Sequence, residues 1–290
     1  MSVVTPINRP LRENTLRIFE ESHRNVFWMY MHSRNLKQRR RTCFTSDMLD
    51  DMLQFQAIVR QRASHCQSPC SFAVLASDSD VFNLGGDLAT LNHLIRQRDR
   101  NALMDYAKRC ILCVDGFHHG CHANAHIIAL VQGNALGGGL ELALSCHTVI
   151  AEEGVTLGFP EVLFNLFPGM GAYSFMRQRI SLHLAEKIMS AGKTYQAEEL
   201  LQLGLIDYVV PAGKGPEKVN QVISNIQRIA NAWNAIQRAK LYTSPVTRDE
   251  LMGITEIWVD AAMRLEEKSL RTMERLVYAQ NRRNKVIQSV

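Results

Sequence analysis

Short apolar runs rich in β-branched and aromatic residues recur along this chain, and longer stretches with helical spacing separate them. VFWMYMHS (26–33), SFAVLAS (71–77), IIALVQG (127–133) and LIDYVVP (205–211) read as strands, with HTVIAEEG and VTLGFPE as shorter ones. Residues 45–63 carry an apolar stripe of Met48, Leu49, Met52, Leu53 and Ile58 behind a Thr45 or Ser46 cap. Helical spacing also marks 87–114 and 181–191, with a short helix at 195–203. Strands that alternate with helices across short turns require right-handed crossovers, so the expectation is an α/β core over 23–212. Residues 1–22 read as a polar, basic N-terminal extension. GKGP (213–216) reads as a linker to a C-terminal helical segment over 213–290.

The 290 residues are 46% hydrophobic, enough for a sizeable core, yet no apolar run approaches the roughly 18 residues that span a bilayer. The first residues lack the apolar stretch of a signal peptide, and seven scattered cysteines do not suggest a disulfide framework, so the expected location is the cytoplasm. The net charge of +5 is concentrated. Arg9, Arg12, Arg17, Arg24 and Arg34 lead into Lys37, Arg39, Arg40 and Arg41, and Arg282, Arg283 and Lys285 lie near the end. Such clusters suit an acidic protein, a phosphate-bearing substrate or an anionic surface, or form a solvated surface. With no zinc-finger spacing and no RNA-binding aromatic signature, nucleic acid is not an expected partner.

NALGGGLELALSC (134–146) sets three glycines and one carboxylate, Glu141, in an otherwise apolar run. Glycine weakens regular structure and a buried charge is costly, so the stretch calls for a reason. Gly137–Gly139 precede an expected helix, where free N–H groups and the dipole favour negative charge, and glycine lets a ligand atom approach the backbone. An oxyanion fits such a place, with the Gly85-Gly86 turn after SFAVLAS supplying a second donor; tight helix–strand packing is the other explanation. Glu161 follows Pro160 in similarly apolar company, at the expected end of a short strand. Desolvation raises a carboxyl pKa toward neutrality, where two such groups can serve as general base and general acid.

CILCVDGFHHGCHANAH (110–126) carries a C-x-x-C and four histidines. Leu103, Tyr106, Cys110, Cys113 and Phe117 share one helical face, however, so the cysteines read as core and no metal is expected. No G-x-S-x-G elbow, Walker A sequence or G-x-G-x-x-G turn is present.

FNLGGDL, GNALGGGLELALSC, LGFPEVLFNLFPGMGA and SAGKTYQAEELLQLGLIDYVV resemble the crotonase (enoyl-CoA hydratase/isomerase) superfamily in order and spacing over roughly 70–212. Within it the chain is similar to the diffusible signal factor synthases of bacterial quorum sensing. They share the arginine-rich start, the histidine-rich segment before IIALVQG and both glutamates. The resemblance implies a spiral of ββα units with C-terminal helices that help form trimers or hexamers, and no cofactor. It places the oxyanion donors at Gly86, with Gly85 adjacent, and Gly138, and the catalytic groups at Glu141 and Glu161. Departures from ordinary hydratases are His147 where Asp is common, RRR in the N-terminal segment, and a longer segment between the glycine motifs.

The implied reaction is dehydration of a 3-hydroxyacyl thioester of acyl carrier protein or CoA to a cis-2-enoyl thioester, then hydrolysis to the free acid. Glu161 would take the C2 proton, Gly86 and Gly138 would hold the enolate oxygen, and Glu141 would protonate the leaving hydroxyl. Leu136, Met170 and Trp258 are candidates for an acyl pocket. Two alternatives stand beside it: an ordinary enoyl-CoA hydratase or isomerase, and a scaffold that binds the receiver domain of a sensor kinase.

Overall fold

The structure, a computed structural model, describes residues 5–6, 15–33, 41–63 and 70–286, with side chains to 278. The larger sheet runs β1 (Thr5–Pro6), β2 (Arg17–Glu21), β3 (Val26–Met31), β4 (Ser71–Ser77), β6 (Ala125–Val131), β8 (Thr148–Glu152), β11 (Tyr208–Val210) in space. Its first two pairings are antiparallel and the rest parallel. The smaller sheet orders β10 (Thr194–Gln196), β9 (Thr156–Gly158), β7 (Asn134–Leu136) and β5 (Val81–Asn83).

The chain steps from the larger sheet to the smaller one three times. After α1 (Ser46–Ala63), β4 and β5 lead into α2 (Leu88–Arg96) and α3 (Arg100–His118); β6 and β7 lead into α4 (Gly138–Ser145); β8 and β9 lead towards α5 (Ala172–Met176). This repetition is a crotonase-like α/β spiral. Helices α6 (Leu182–Ala191) and α7 (Ala197–Gln202) flank β10, and α8 (Gly215–Arg228), α9 (Ala230–Thr243), α10 (Arg248–Ala262) and α11 (Glu267–Val286) follow β11.

The central strands read as unbroken apolar runs because both faces of the large sheet are covered. On one face Ala73, Leu75, Ile127 and Ala129 meet Leu49, Met52 and Phe55 of α1 and Val114 and Phe117 of α3. On the other, Phe72, Val74, Ile128, Leu130 and Ile150 meet Val219, Val222, Ile223 and Ile226 of α8.

Three expectations need correction. Residues 15–22 are not an extension: Thr15 donates to buried Asp51 through its N–H (2.9 Å) and hydroxyl (2.7 Å), and Arg17–Glu21 is β2. Its charges mask the strand because each is partnered. Arg17 pairs with Asp78, Glu20 with Arg62, and Glu21 accepts from the Trp28 indole at 2.8 Å. The 87–114 helix is two helices, broken where Arg98 takes φ +56°, with Asp87 capping α2 and Asp99 capping α3. GKGP is no free linker, since Gly215 opens α8 and donates to Glu152 at 3.0 Å.

Among the basic clusters, Arg9, Arg12, Arg34, Lys37, Arg39 and Arg40 lie outside the described residues, as do the side chains of Arg282, Arg283 and Lys285. Arg24 reaches Asn220 at 2.7 Å, and Arg41 pairs with Asp87 at 2.6 Å. Among the described residues, no helix is long and apolar enough to cross a membrane, and no group of three or more His, Cys, Asp or Glu could hold a metal. Cys110 and Cys113 are buried core residues.

The histidines of 110–126 pack instead of converging. His118, His147 and His126 form a row, with ring centroids 6.5 and 5.1 Å apart. His147 Nδ1 accepts from the Ile127 N–H at 2.8 Å, and His126 Nδ1 accepts from the Trp233 indole at 3.3 Å while its Nε2 meets Thr148 Oγ1 at 2.9 Å. Rings that accept through one nitrogen are neutral, and burial pushes His118 down to about 4 and His126 to about 3.

Candidate active site

Asn83 ends β5, and its side-chain oxygen accepts the Gly85 N–H at 2.8 Å. Gly85 turns the chain at φ +87°, and a Cβ there would lie 2.8 Å from Gly138 N, so two glycine turns meet backbone to backbone. With its own N–H held by Asn83, Gly85 contributes closeness rather than a donor. Gly86 lines the cavity beyond.

On the facing turn Gly137 caps α4 at φ +53°, and a Cβ there would lie 2.4 Å from Glu161 Oε1. Glycine at 137 is therefore what lets the Glu161 carboxylate approach. Gly138 is the first helical residue, whose N–H has no partner within the helix. The N–H groups of Gly86 and Gly138 have no acceptor among the described residues and belong to residues that line one cavity.

Glu141, one turn along α4, is 2% exposed. Its Oε1 accepts the N–H groups of Met170 (2.7 Å) and Ala172 (2.9 Å), so the PGMGA turn grips one oxygen and leaves the other available. Burial pushes this carboxyl up to about 7 against the opposing pull of the two N–H groups. Glu161 opens a 3-10 turn, Glu161–Phe164, rather than ending a strand. Its Oε2 is sealed from solvent and has no hydrogen-bond partner among the described residues, and desolvation, followed by the nearby Glu141 charge, lifts its pKa well above the ordinary carboxylate range.

These groups share one cavity that opens to solvent. Leu136, Met170 and Trp258 line it, as do Gly86, Gly138 and both glutamates. Trp258 reaches in from α10 and packs so tightly on Gly169 that a Cβ there would fall 2.2 Å from its ring. Sequence reading missed Leu88 and Leu91 of α2, Tyr106 of α3 and Leu276 of α11 as lining residues. Leu88 and Leu91 follow the Asp87 cap on one helical face, a signal present in the sequence; Leu276 carries none.

Buried Glu141, half-buried Glu161 and two backbone donors with no acceptor among the described residues, set around an apolar cavity, have the chemistry suited to proton transfer beside a carbonyl whose oxygen takes on charge. The chain belongs to the enoyl-CoA hydratase/isomerase family, whose model matches residues 35–283. It is 29% identical over 192 residues to the 2,3-dehydroadipyl-CoA hydratase of Escherichia coli K12, covering 66% of this chain and 71% of that one. A 30% identity over 142 residues links it to the human peroxisomal bifunctional enzyme, covering 49% of this chain but only 18% of that longer protein. In fold it is similar to the enoyl-CoA hydratase of Bacillus halodurans, with TM-score 0.72 and 17% identity over 90% of this chain and 98% of that one. It is also similar to DspI of Pseudomonas aeruginosa, with TM-score 0.62 and 19% identity over 85% and 88%.

Proposed function

We propose that this enzyme dehydrates a 3-hydroxyacyl thioester to a cis-2-enoyl thioester and then hydrolyses it, releasing an unsaturated fatty acid that serves as a diffusible signal. The observation that carries the acid–base part is the desolvated Glu141–Glu161 pair beside the Gly86 and Gly138 N–H groups, which have no acceptor among the described residues. Burial lifts both carboxyls, and repulsion between their charges disfavours ionising both, so that one can serve as acid and the other as base. Glu161 takes the C2 proton, the two N–H groups hold the enolate oxygen, and Glu141 delivers a proton to the leaving hydroxyl. In the second step the same donors hold the tetrahedral oxyanion while one carboxylate activates water.

The choice of carrier-protein thioester and the release of free acid rest on the motif resemblance to signal factor synthases. Assembly as a trimer or hexamer is part of the same reading. It is supported by the apolar surface of the C-terminal segment, where Ile229, Ile236, Leu241 and Tyr242 are 46–88% exposed. A CoA-linked hydratase is the second reading, and the likeness to 2,3-dehydroadipyl-CoA hydratase favours it.

Mass spectrometry of products from purified protein given 3-hydroxyacyl carrier protein and, separately, the CoA thioester decides between them. Free cis-2-enoic acid from the carrier-protein substrate is the expected result. An enoyl-CoA with no free acid establishes the hydratase instead. In the first case Trp258→Ala, which opens the cavity wall, shifts the product distribution toward longer chains; an unchanged profile removes Trp258 from the acyl pocket.

A further inference from the structure

Tyr106 projects from α3 beneath the Gly85-Gly86 turn, and its hydroxyl makes two hydrogen bonds. It donates to the Phe44 carbonyl at 2.7 Å and accepts the Asp87 N–H at 2.9 Å. That commits its one hydrogen and one of its two acceptor positions. Phe44 in turn runs alongside the turn, its N–H donating to the Gly85 carbonyl at 2.8 Å.

These bonds bear on Gly86 through the planarity of the peptide unit. In the Gly85–Gly86 peptide the carbonyl and the N–H point in opposite directions. Holding the Gly85 carbonyl against Phe44 therefore turns the Gly86 N–H away from Phe44. The next peptide is held through the Asp87 N–H. Both planes that flank Gly86 are thus tied, one directly to the Tyr106 hydroxyl and one through Phe44, which that hydroxyl also holds. Gly86 has no side chain of its own to resist rotation, and a Cβ built there would sit 3.7 Å from the Tyr106 oxygen.

We infer that Tyr106 is a positioning residue of the active site, whose hydroxyl locks the peptide planes around Gly86 and so aims the Gly86 N–H at the substrate carbonyl oxygen. The inference rests on the oxyanion role of Gly86 given under Proposed function. Tyr106 does not transfer a proton itself: burial lifts its phenol well above 10, and its hydrogen is committed to Phe44. A donor free to swing stabilises an enolate poorly, because its dipole must be reoriented as the charge forms.

The test uses Tyr106→Phe, which keeps the ring and removes the hydroxyl. With a 3-hydroxyacyl thioester, kcat falls about tenfold while KM changes less than about twofold, a fraction of the 10²–10³ lost when an oxyanion donor is removed outright. The direct readout is infrared difference spectroscopy of a bound acyl-pantetheine carrying ¹³C at the carbonyl and an amide in place of the thioester. The carbonyl band moves to lower frequency on binding the wild type, and the shift is less than half as large in Tyr106→Phe. Ile111→Ala, in the core of the same helix and 1% exposed, is a control for lost stability and keeps the full shift. Incorporation of 3-fluorotyrosine at 106, which weakens the hydroxyl as an acceptor without removing it, is the milder variant and moves the band the same way.

The outcomes separate. No band shift in the wild type removes the oxyanion reading and this inference with it. A wild-type shift that persists undiminished in Tyr106→Phe, with kcat within about twofold, overturns the inference alone, as does loss of the shift in Ile111→Ala.

Discussion

Glu141→Gln and Glu161→Gln each lower turnover of a 3-hydroxyacyl thioester by about 10²–10⁴-fold, the range lost when a group that transfers a proton in the limiting step is removed. Glutamine keeps the shape of either side chain, and at 141 its amide oxygen can still accept from Met170 and Ala172. What it cannot do is exchange a proton. Steady-state assays of both variants provide the check, and wild-type turnover in both defeats the mechanism.

The same substitutions should raise stability. A carboxyl whose folded pKa lies above its unfolded value is destabilising at pH values above the unfolded pKa, because the unfolded chain ionises first. For Glu141, lifted from 4.5 to about 7, this amounts to about 3 kcal/mol at pH 7 and vanishes below pH 4.5. Urea unfolding of Glu141→Gln at pH 7 and pH 4 tests the sign: the midpoint rises at the first and matches wild type at the second. A buried acid retained at such a loss is a trade of stability for activity.

Acid unfolding is the second large effect, and it comes from His118, His126 and His147. His118 and His126 are buried and His147 half-buried, and desolvation is the leading cause of their lowered pKa values; the His126 and His118 charges lower His147 further, and the Lys240 charge lowers all three. Below pH 6.5 the unfolded chain takes up protons that the folded chain refuses. Each histidine then withdraws up to about 1.4 kcal/mol per pH unit, or about 4 kcal/mol per unit for the row. Glu141 and Glu161, whose pKa values are raised, act in the opposite direction down to pH 4.5 and offset part of this loss in the wild type, while His122, also lowered by burial, adds to it. His119, raised by its bond to Asp115, titrates above 6.5 and does not enter this range.

The doubly substituted Glu141→Gln, Glu161→Gln protein is thus the more stable at neutral pH and loses stability more steeply on acidification. Its curve converges on the wild type near pH 4.5. Urea titrations at intervals of half a pH unit measure both slopes; equal slopes remove either the histidine row or the carboxyl pair from this account.

Local patterns made much of this legible before any fold was known. SFAVLAS and IIALVQG are β4 and β6 because unbroken apolar runs of that length suit strands covered on both sides, and LELALS is α4. The misreadings have a common cause, since composition reports the residue and not its partner. RIFEE appeared to be an exposed polar tail because Asp78, Arg62 and Trp28, which neutralise it, lie far away in sequence. The helix break at Arg98 was hidden because Asp99 caps by geometry that a periodic apolar pattern does not display.

By itself, the sequence determined that three glycines and one carboxylate occupy the start of an apolar helix, and that a second glutamate follows a proline further on. Only the tertiary structure decided what they do. Gly137 lacks a Cβ because Glu161 Oε1 needs that space, and Gly85 lacks one because Gly138 N lies against it. Glu141 owes its raised pKa to enclosure by the surrounding core, while the N–H groups that hold its position come from residues 170 and 172. Desolvation and close approach depend on what surrounds an atom in space, and residues far apart along the chain supply those surroundings.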